Sequence, residues 1–166
     1  NEIVQQLTTP LLNRFLMLAR RQNNVWAAGV AGRLRDAVGD KVPHTWTITC
    51  DTALLGARHA LVDSPEPPLA LVHLLQDPDD RLRRLKAVPL LLLSNGRDVL
   101  LPDEHTPLRA GDRILFAGEA GVEGLQRHTL ADDAAIDYLR TGREPPRTWL
   151  GRLLTGARAA TAAKPS

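Results

Sequence analysis

The sequence holds a single cysteine, Cys50, so no disulfide can close within the chain and no thiolate cluster can hold a metal. A reducing compartment fits that usage. Aromatic residues are scarce at 4%, so the 43% of apolar residues must build an aliphatic core, much of it leucine. No apolar run approaches the roughly twenty residues that a membrane-spanning helix needs. The longest lies around Pro89, from Val88 to Leu93. No charged opening followed by an apolar stretch marks a signal peptide, and the first residue is Asn1. The chain is therefore expected to be a piece of a larger protein. Charge of one sign is missing too: 21 lysines and arginines face 19 acids, a formal +2. That balance argues against a dedicated nucleic-acid binder.

Groups that do chemistry are equally sparse. The five histidines (His44, His59, His73, His105 and His128) form no i,i+4 pair and have no carboxylate at ligand spacing. The serines are Ser64, Ser94 and Ser166, and none stands in a GxSxG elbow. Cys50 reads as a small core residue on a strand face. The expectation is a protein without catalytic or metal-ligating residues. Asp103-Glu104-His105, the densest polar cluster, reads as a solvated loop. "GEAGVEG", Gly118 to Gly124, sits between a strand and a helix, where a phosphate can bind. Its GxxGxxG spacing and its two glutamates favour a plain turn instead. "RLRRLK", Arg81 to Lys86, is the one basic run. It lacks interleaved aromatics for base stacking and reads as a solvated face, with nucleic-acid contact as the sharper alternative.

What is present is turn chemistry. Thr9-Pro10 starts a helix whose stripe is Leu11, Leu12, Phe15, Leu16 and Ala19, ended by Asn23-Asn24. A second helix, about Val25 to Val38, carries Trp26, Val30, Leu34 and Val38 on one face and ends at Gly39. Gly29 and Gly32 inside it cost roughly 1 kcal/mol each relative to alanine, so close approach of another helix is the plain compensation. A phosphate-binding glycine loop is the sharper alternative, but no strand precedes it and the GxGxxG spacing is absent. "HTWTITC" alternates as a strand, with Trp46, Ile48 and Cys50 on one face. Asp51 to Pro68 gives no clear signal, and Leu69 to Gln76 reads as a short helix ended by Asp77 to Asp80. Val88–Ser94, the turn Asn95-Gly96 and Arg97–Pro102 form a hairpin with a type I′ turn. In "TPLRAGDRILFAGE", Pro107 fixes an extended entry, Gly111 supplies a positive φ and Asp112 caps the turn. The strand Asp112–Ala117 follows, then helices Val122–His128 and Ala131–Arg140. Gly142 to Pro146 is a break. Trp149, Leu150, Leu153 and Leu154 with Arg147 and Arg152 make a short amphipathic stretch, and Ala157 to Ser166 reads as a low-complexity tail.

The order "VPLLLLS", Asn-Gly turn, "RDVLLPDEHTPLRAGDRILFAG" resembles the C-terminal subdomain of RCK (regulator of potassium conductance) proteins, also called TrkA-C. Pro102, Leu108, Gly111, Asp112 and Gly118 stand at the elements of that pattern, and "LALVHLLQ" falls where the family has a helix. The match spans about Trp46 to Gln126. "EIVQQLTTPLLNRFL" is similar to the segment that leaves the family's nucleotide-binding lobe, and "YLRTGREPPRTWLGRLL" to the closing segment of some channel-type members. Two features depart: Ser94 and Asn95 stand where an arginine is frequent, and Asp51 to Pro68 is longer. No particular ligand is carried over, neither calcium nor a cyclic dinucleotide.

The resemblance implies an α+β fold. A helical crossover (1–43) comes first, then a TrkA-C-like α/β domain with an antiparallel hairpin (44–128), then a helical tail (129–166). It implies a non-enzymatic regulatory module that forms a homodimer and responds to a small-molecule or ion effector. The module would couple that effector to a potassium pore, on the same chain or a membrane subunit, from the cytoplasmic side. Asn95, Arg97 and His105, polar groups beside the hairpin, are the candidate ligand contacts. No cofactor is expected in this piece, because the GxGxxG fingerprint is absent. Nucleic acid is not an expected partner; a module using Arg81–Lys86 is the alternative. A small enzyme with an unrecognised site is a further rival.

Overall fold

The computed structural model describes residues 10–143, which form the expected α+β fold. Helices α1 (Pro10–Ala19) and α2 (Asn24–Val38) precede strand β1 (His44–Thr49). Asn23 opens the second helix rather than only ending the first, because its side chain accepts the Trp26 N–H at 2.9 Å. Gly39, at φ 66°, closes that helix through an N–H to the Arg35 carbonyl. Thr9 at the helix start, the rest of the expected crossover before it and everything past Arg143 fall outside the described residues.

The main sheet has the order β1-β6-β4-β5, all antiparallel, with β4 at Ala87–Ser94, β5 at Arg97–Leu100 and β6 at Arg113–Gly118. Asn95 and Gly96 both take positive φ, 50° and 74°, as a type I′ turn demands. The unbroken apolar run of β4 follows from burial on both faces. On one side Leu11, Phe15 and Val30 of the helical pair cover Val88, Leu90, Leu91 and Leu115. On the other, Trp46, Ile48, Ile114 and Phe116 pack with Leu71, Leu74, Leu75, Leu130 and Ile136. A proline inside such a strand lacks a ladder donor. Here the register slips between Pro89 and Leu91, and the bulged Leu90 offers its carbonyl to the Leu101 N–H at 2.9 Å. Asp112 does more than cap its turn. One carboxylate oxygen accepts the Arg109 N–H at 2.8 Å, and the other accepts the Ser94 hydroxyl at 2.6 Å, pinning the turn to the end of β4.

The two helices expected after β6 are present with shifted ends, while the elements between β1 and β4 differ from expectation. The helix read at Leu69–Gln76 contracts to a 3₁₀ turn, Leu71–Leu75, and Gln76 enters strand β2 (Gln76–Asp77). Asp77 to Asp80 does not merely end a helix. The Asp77 side chain accepts the Asp79 N–H at 2.8 Å and turns the chain into β3 (Asp80–Arg84), so the basic run begins on a strand. Asp51–Pro68 contains α3 (Leu55–Arg58), which widens into a π-turn at His59–Asp63. Helices α4 (Val122–Ala131) and α5 (Asp133–Thr141) meet at Asp132, whose side chain accepts N–H groups of Ala134 and Ala135. No described residue approaches Gly29 or Gly32: a Cβ there meets nothing within 4 Å.

Candidate functional site

Most buried polar groups serve the scaffold. The Trp46 indole N–H donates to the Gln126 amide oxygen at 2.7 Å, and the amide nitrogen donates to the Leu74 carbonyl at 2.9 Å. The Arg140 guanidinium, buried, donates to the carbonyls of Ser64 and Pro67 at 2.7 and 2.8 Å and pairs with Asp137. Asp137 in turn meets the His59 ring at 2.8 Å. That chain of contacts fastens the Ser64–Pro67 loop onto α5. Burial, followed by the nearby Asp112 charge, pushes the Cys50 thiol up to about 12, so it stays protonated and is no nucleophile. Among the described residues no group of three or more histidine, cysteine or acidic side chains is placed to hold a metal ion. No described helix is long and apolar enough to cross a membrane.

One cavity stands out, with a volume of about 660 Å³. Three segments distant in sequence enclose it: the last turns of α2 (Arg33, Asp36, Ala37), the β3–β4 link with the start of β4 (84–89), and the loop leaving β5 (101–105). Val88, Pro89, Leu101 and Pro102 give it an apolar wall, while Arg33, Arg84 and Lys86 face Asp36, Asp103 and Glu104 around it. Arg84 clasps Glu104 with two nitrogens, one of them at 3.1 Å, and this hydrogen bonding holds the Glu104 carboxyl below its usual range. Lys86 stands 3.8 Å from Glu119. The Arg33 side chain has no ion pair or hydrogen bond among the described residues.

The Asp103-Glu104-His105 loop is not simply solvated. Its Glu104 carbonyl accepts the Val72 N–H at 2.7 Å, the Thr106 carbonyl accepts the Leu71 N–H at 3.0 Å, and Asp103 accepts the His105 N–H at 2.7 Å. The three candidate contacts are divided by the hairpin. His105 lines the cavity at the hairpin's open end, whereas Asn95 and Arg97 are exposed at its closed end, where Ser94 pairs with Arg97. Sequence reasoning missed Arg33, Arg84 and Lys86 as a group, since only folding brings α2 to the β3–β4 link. The basic run is dispersed by pairing: Arg83 lies 3.7 Å from Asp77, Arg84 binds Glu104 and Lys86 faces Glu119. "GEAGVEG" is a strand-to-helix turn in which Gly121 takes φ 96°.

No family model matches the sequence, and no curated protein matches it. Among solved structures, the chain is similar to the RCK_C domain dimer of S. agalactiae BusR in complex with c-di-AMP. Identity is 15% and the TM-score 0.35, covering 61% of this chain and 96% of that one. It is also similar to S. agalactiae BusR in complex with its busAB-promotor DNA, at 13% identity and a TM-score of 0.36. That match covers 78% of this chain and 48% of the other.

Proposed function

We propose that this chain is the regulatory portion of a potassium channel or potassium-uptake protein. In this reading it pairs with a second copy, binds a small effector on the cytoplasmic side, and passes the bound state to a pore. The pore is carried by the same protein or by a membrane subunit, and the chain performs no catalysis. The observation that carries the reading is the cavity at the open end of the β4–β5 hairpin, with its apolar wall and its ring of both charges. Such a lining suits an organic ion with a flat apolar part and an anionic group. It suits a bare cation less, because Glu104 is already engaged by Arg84. The effector biases the pore only as far as it binds two arrangements of the module unequally.

The test is thermal denaturation with c-di-AMP (the molecule held by BusR), ATP and calcium, each at millimolar concentration. We expect one of the organic anions to raise the Tm of the wild type and to lose that effect in Arg84→Ala. Unchanged Tm with all three removes the effector reading. Duplex DNA belongs in the same series, because steeply salt-dependent binding would move Arg81–Lys86 to the centre of the function.

A further inference from the structure

We infer that Arg33 is the effector's contact on α2, so that a ligand in the cavity clamps the N-terminal helical pair against the sheet. The inference rests on the effector reading and adds a route by which occupancy is felt elsewhere. The helical pair is held to the sheet by apolar burial, with Leu11, Phe15 and Val30 on Val88, Leu90 and Leu91. Among the described residues a single ion pair joins it to the rest, Arg14 to Asp98 at 2.6 Å, and the Arg14 side chain is 48% exposed. An ion pair that open contributes little. Nothing polar secures the C-terminal turns of α2 among the described residues, and that is where the cavity opens.

Position and pairing both single out Arg33. Val30 packs on the sheet, while Arg33 and Ala37, one turn apart, border the cavity from the flank. Of the cations around the cavity, Arg84 is bound to Glu104 and Lys86 faces Glu119, whereas the Arg33 side chain is engaged by no carboxylate among the described residues. An anionic group can recruit Arg33 without breaking an existing pair. Its contacts to the β3–β4 link exist with α2 docked or undocked, but its contact to Arg33 exists only with α2 docked. That difference in affinity is what shifts an equilibrium between arrangements.

The experiment follows amide hydrogen exchange along α2, with c-di-AMP and ATP as probes, in wild type, Arg33→Ala and Arg84→Ala. Arg33 is exposed, so its replacement should leave the fold intact. The inference predicts that a bound probe slows exchange over residues 30–38 in the wild type. In Arg33→Ala that slowing disappears and affinity falls about tenfold, the usual scale for one charge-assisted contact. Suppose a probe binds and Arg84→Ala weakens it, yet α2 exchange or affinity is indifferent to Arg33. Then the clamp is wrong and the effector reading stands. If neither probe binds any variant, the effector reading fails and takes the clamp with it.

Discussion

His73 accepts the Ala70 backbone N–H on Nδ1 at 2.9 Å, which places the ring proton on Nε2 and leaves the imidazole neutral. Burial lowers its pKa to about 4, with the positive charges of Arg140 and Arg81 adding to the effect. The sign of the consequence is fixed by linkage. Between pH 6.5 and about 4 the unfolded chain takes up a proton at this residue and the folded one does not, so stability falls as pH falls through that window. Because the ring is part-exposed, the loss should be about 1–2 kcal/mol rather than the whole shift. Urea denaturation at the two ends of the window should show it for the wild type. The steepness should be smaller for His73→Asn, which keeps an acceptor for Ala70 but cannot titrate. Equal slopes would mean that His73 is not responsible. Nothing in the sequence foretold this, because the neighbours of His73 come from α5 and β3. Asp112 was legible at the same scale, since a turn cap is a local matter. Its second bond, from Ser94, was not.

Helix α3 was invisible in the sequence, and its packing shows why. Gly56 lies so close to the α4–α5 junction that a Cβ would stand 2.6 Å from the Thr129 carbonyl oxygen, 2.7 Å from that of Leu130 and 2.8 Å from that of Asp132. The element exists because another part of the chain accepts its backbone, which no periodicity over four residues can announce. Gly56→Ala must push helices apart and is expected to cost about 3 kcal/mol or more, read as a fall in urea midpoint with little change in m. A cost under about 1 kcal/mol would show that the junction yields easily and is not closely packed against Gly56. The β2–β3 hairpin escaped detection for a related reason. Asp80–Arg84 has no apolar alternation, and Leu82 is 92% exposed. Its own ladder runs on one rung past the strands, with the Leu85 N–H donating to the Leu75 carbonyl at 2.8 Å, and a contact from outside holds it, the Arg81 N–H donating to the Tyr138 hydroxyl at 2.9 Å. The β4–β5 hairpin was readable because its turn residues and its apolar run are contiguous. The cavity was not, because residues near 33, 86 and 103 meet only in the folded chain.

For the whole molecule, the open glycine face of α2 carries the proposed pairing. Ala28 and Gly29 are exposed, Val25 is 81% exposed, and a Cβ on Gly29 or Gly32 meets nothing within 4 Å. Among the described residues of one copy, then, these glycines weaken the helix by roughly 1 kcal/mol each without a packing return. A second copy seated on this face would supply that return, since only glycine lets two helix backbones come close. The two roles predict opposite signs for one substitution. Gly29→Ala should stabilise the isolated monomer by roughly 0.5–1 kcal/mol, because alanine is the better helix former. It should also weaken the dimer, by about tenfold in Kd, because the added methyl holds the partner helix away. Sedimentation equilibrium over a range of concentrations reads the second effect, and urea denaturation at high dilution reads the first. A wild type that stays monomeric at high concentration removes the pairing altogether. A dimer untouched by Gly29→Ala and Gly32→Ala places the contact on another face and leaves the glycines as a cost to α2 alone.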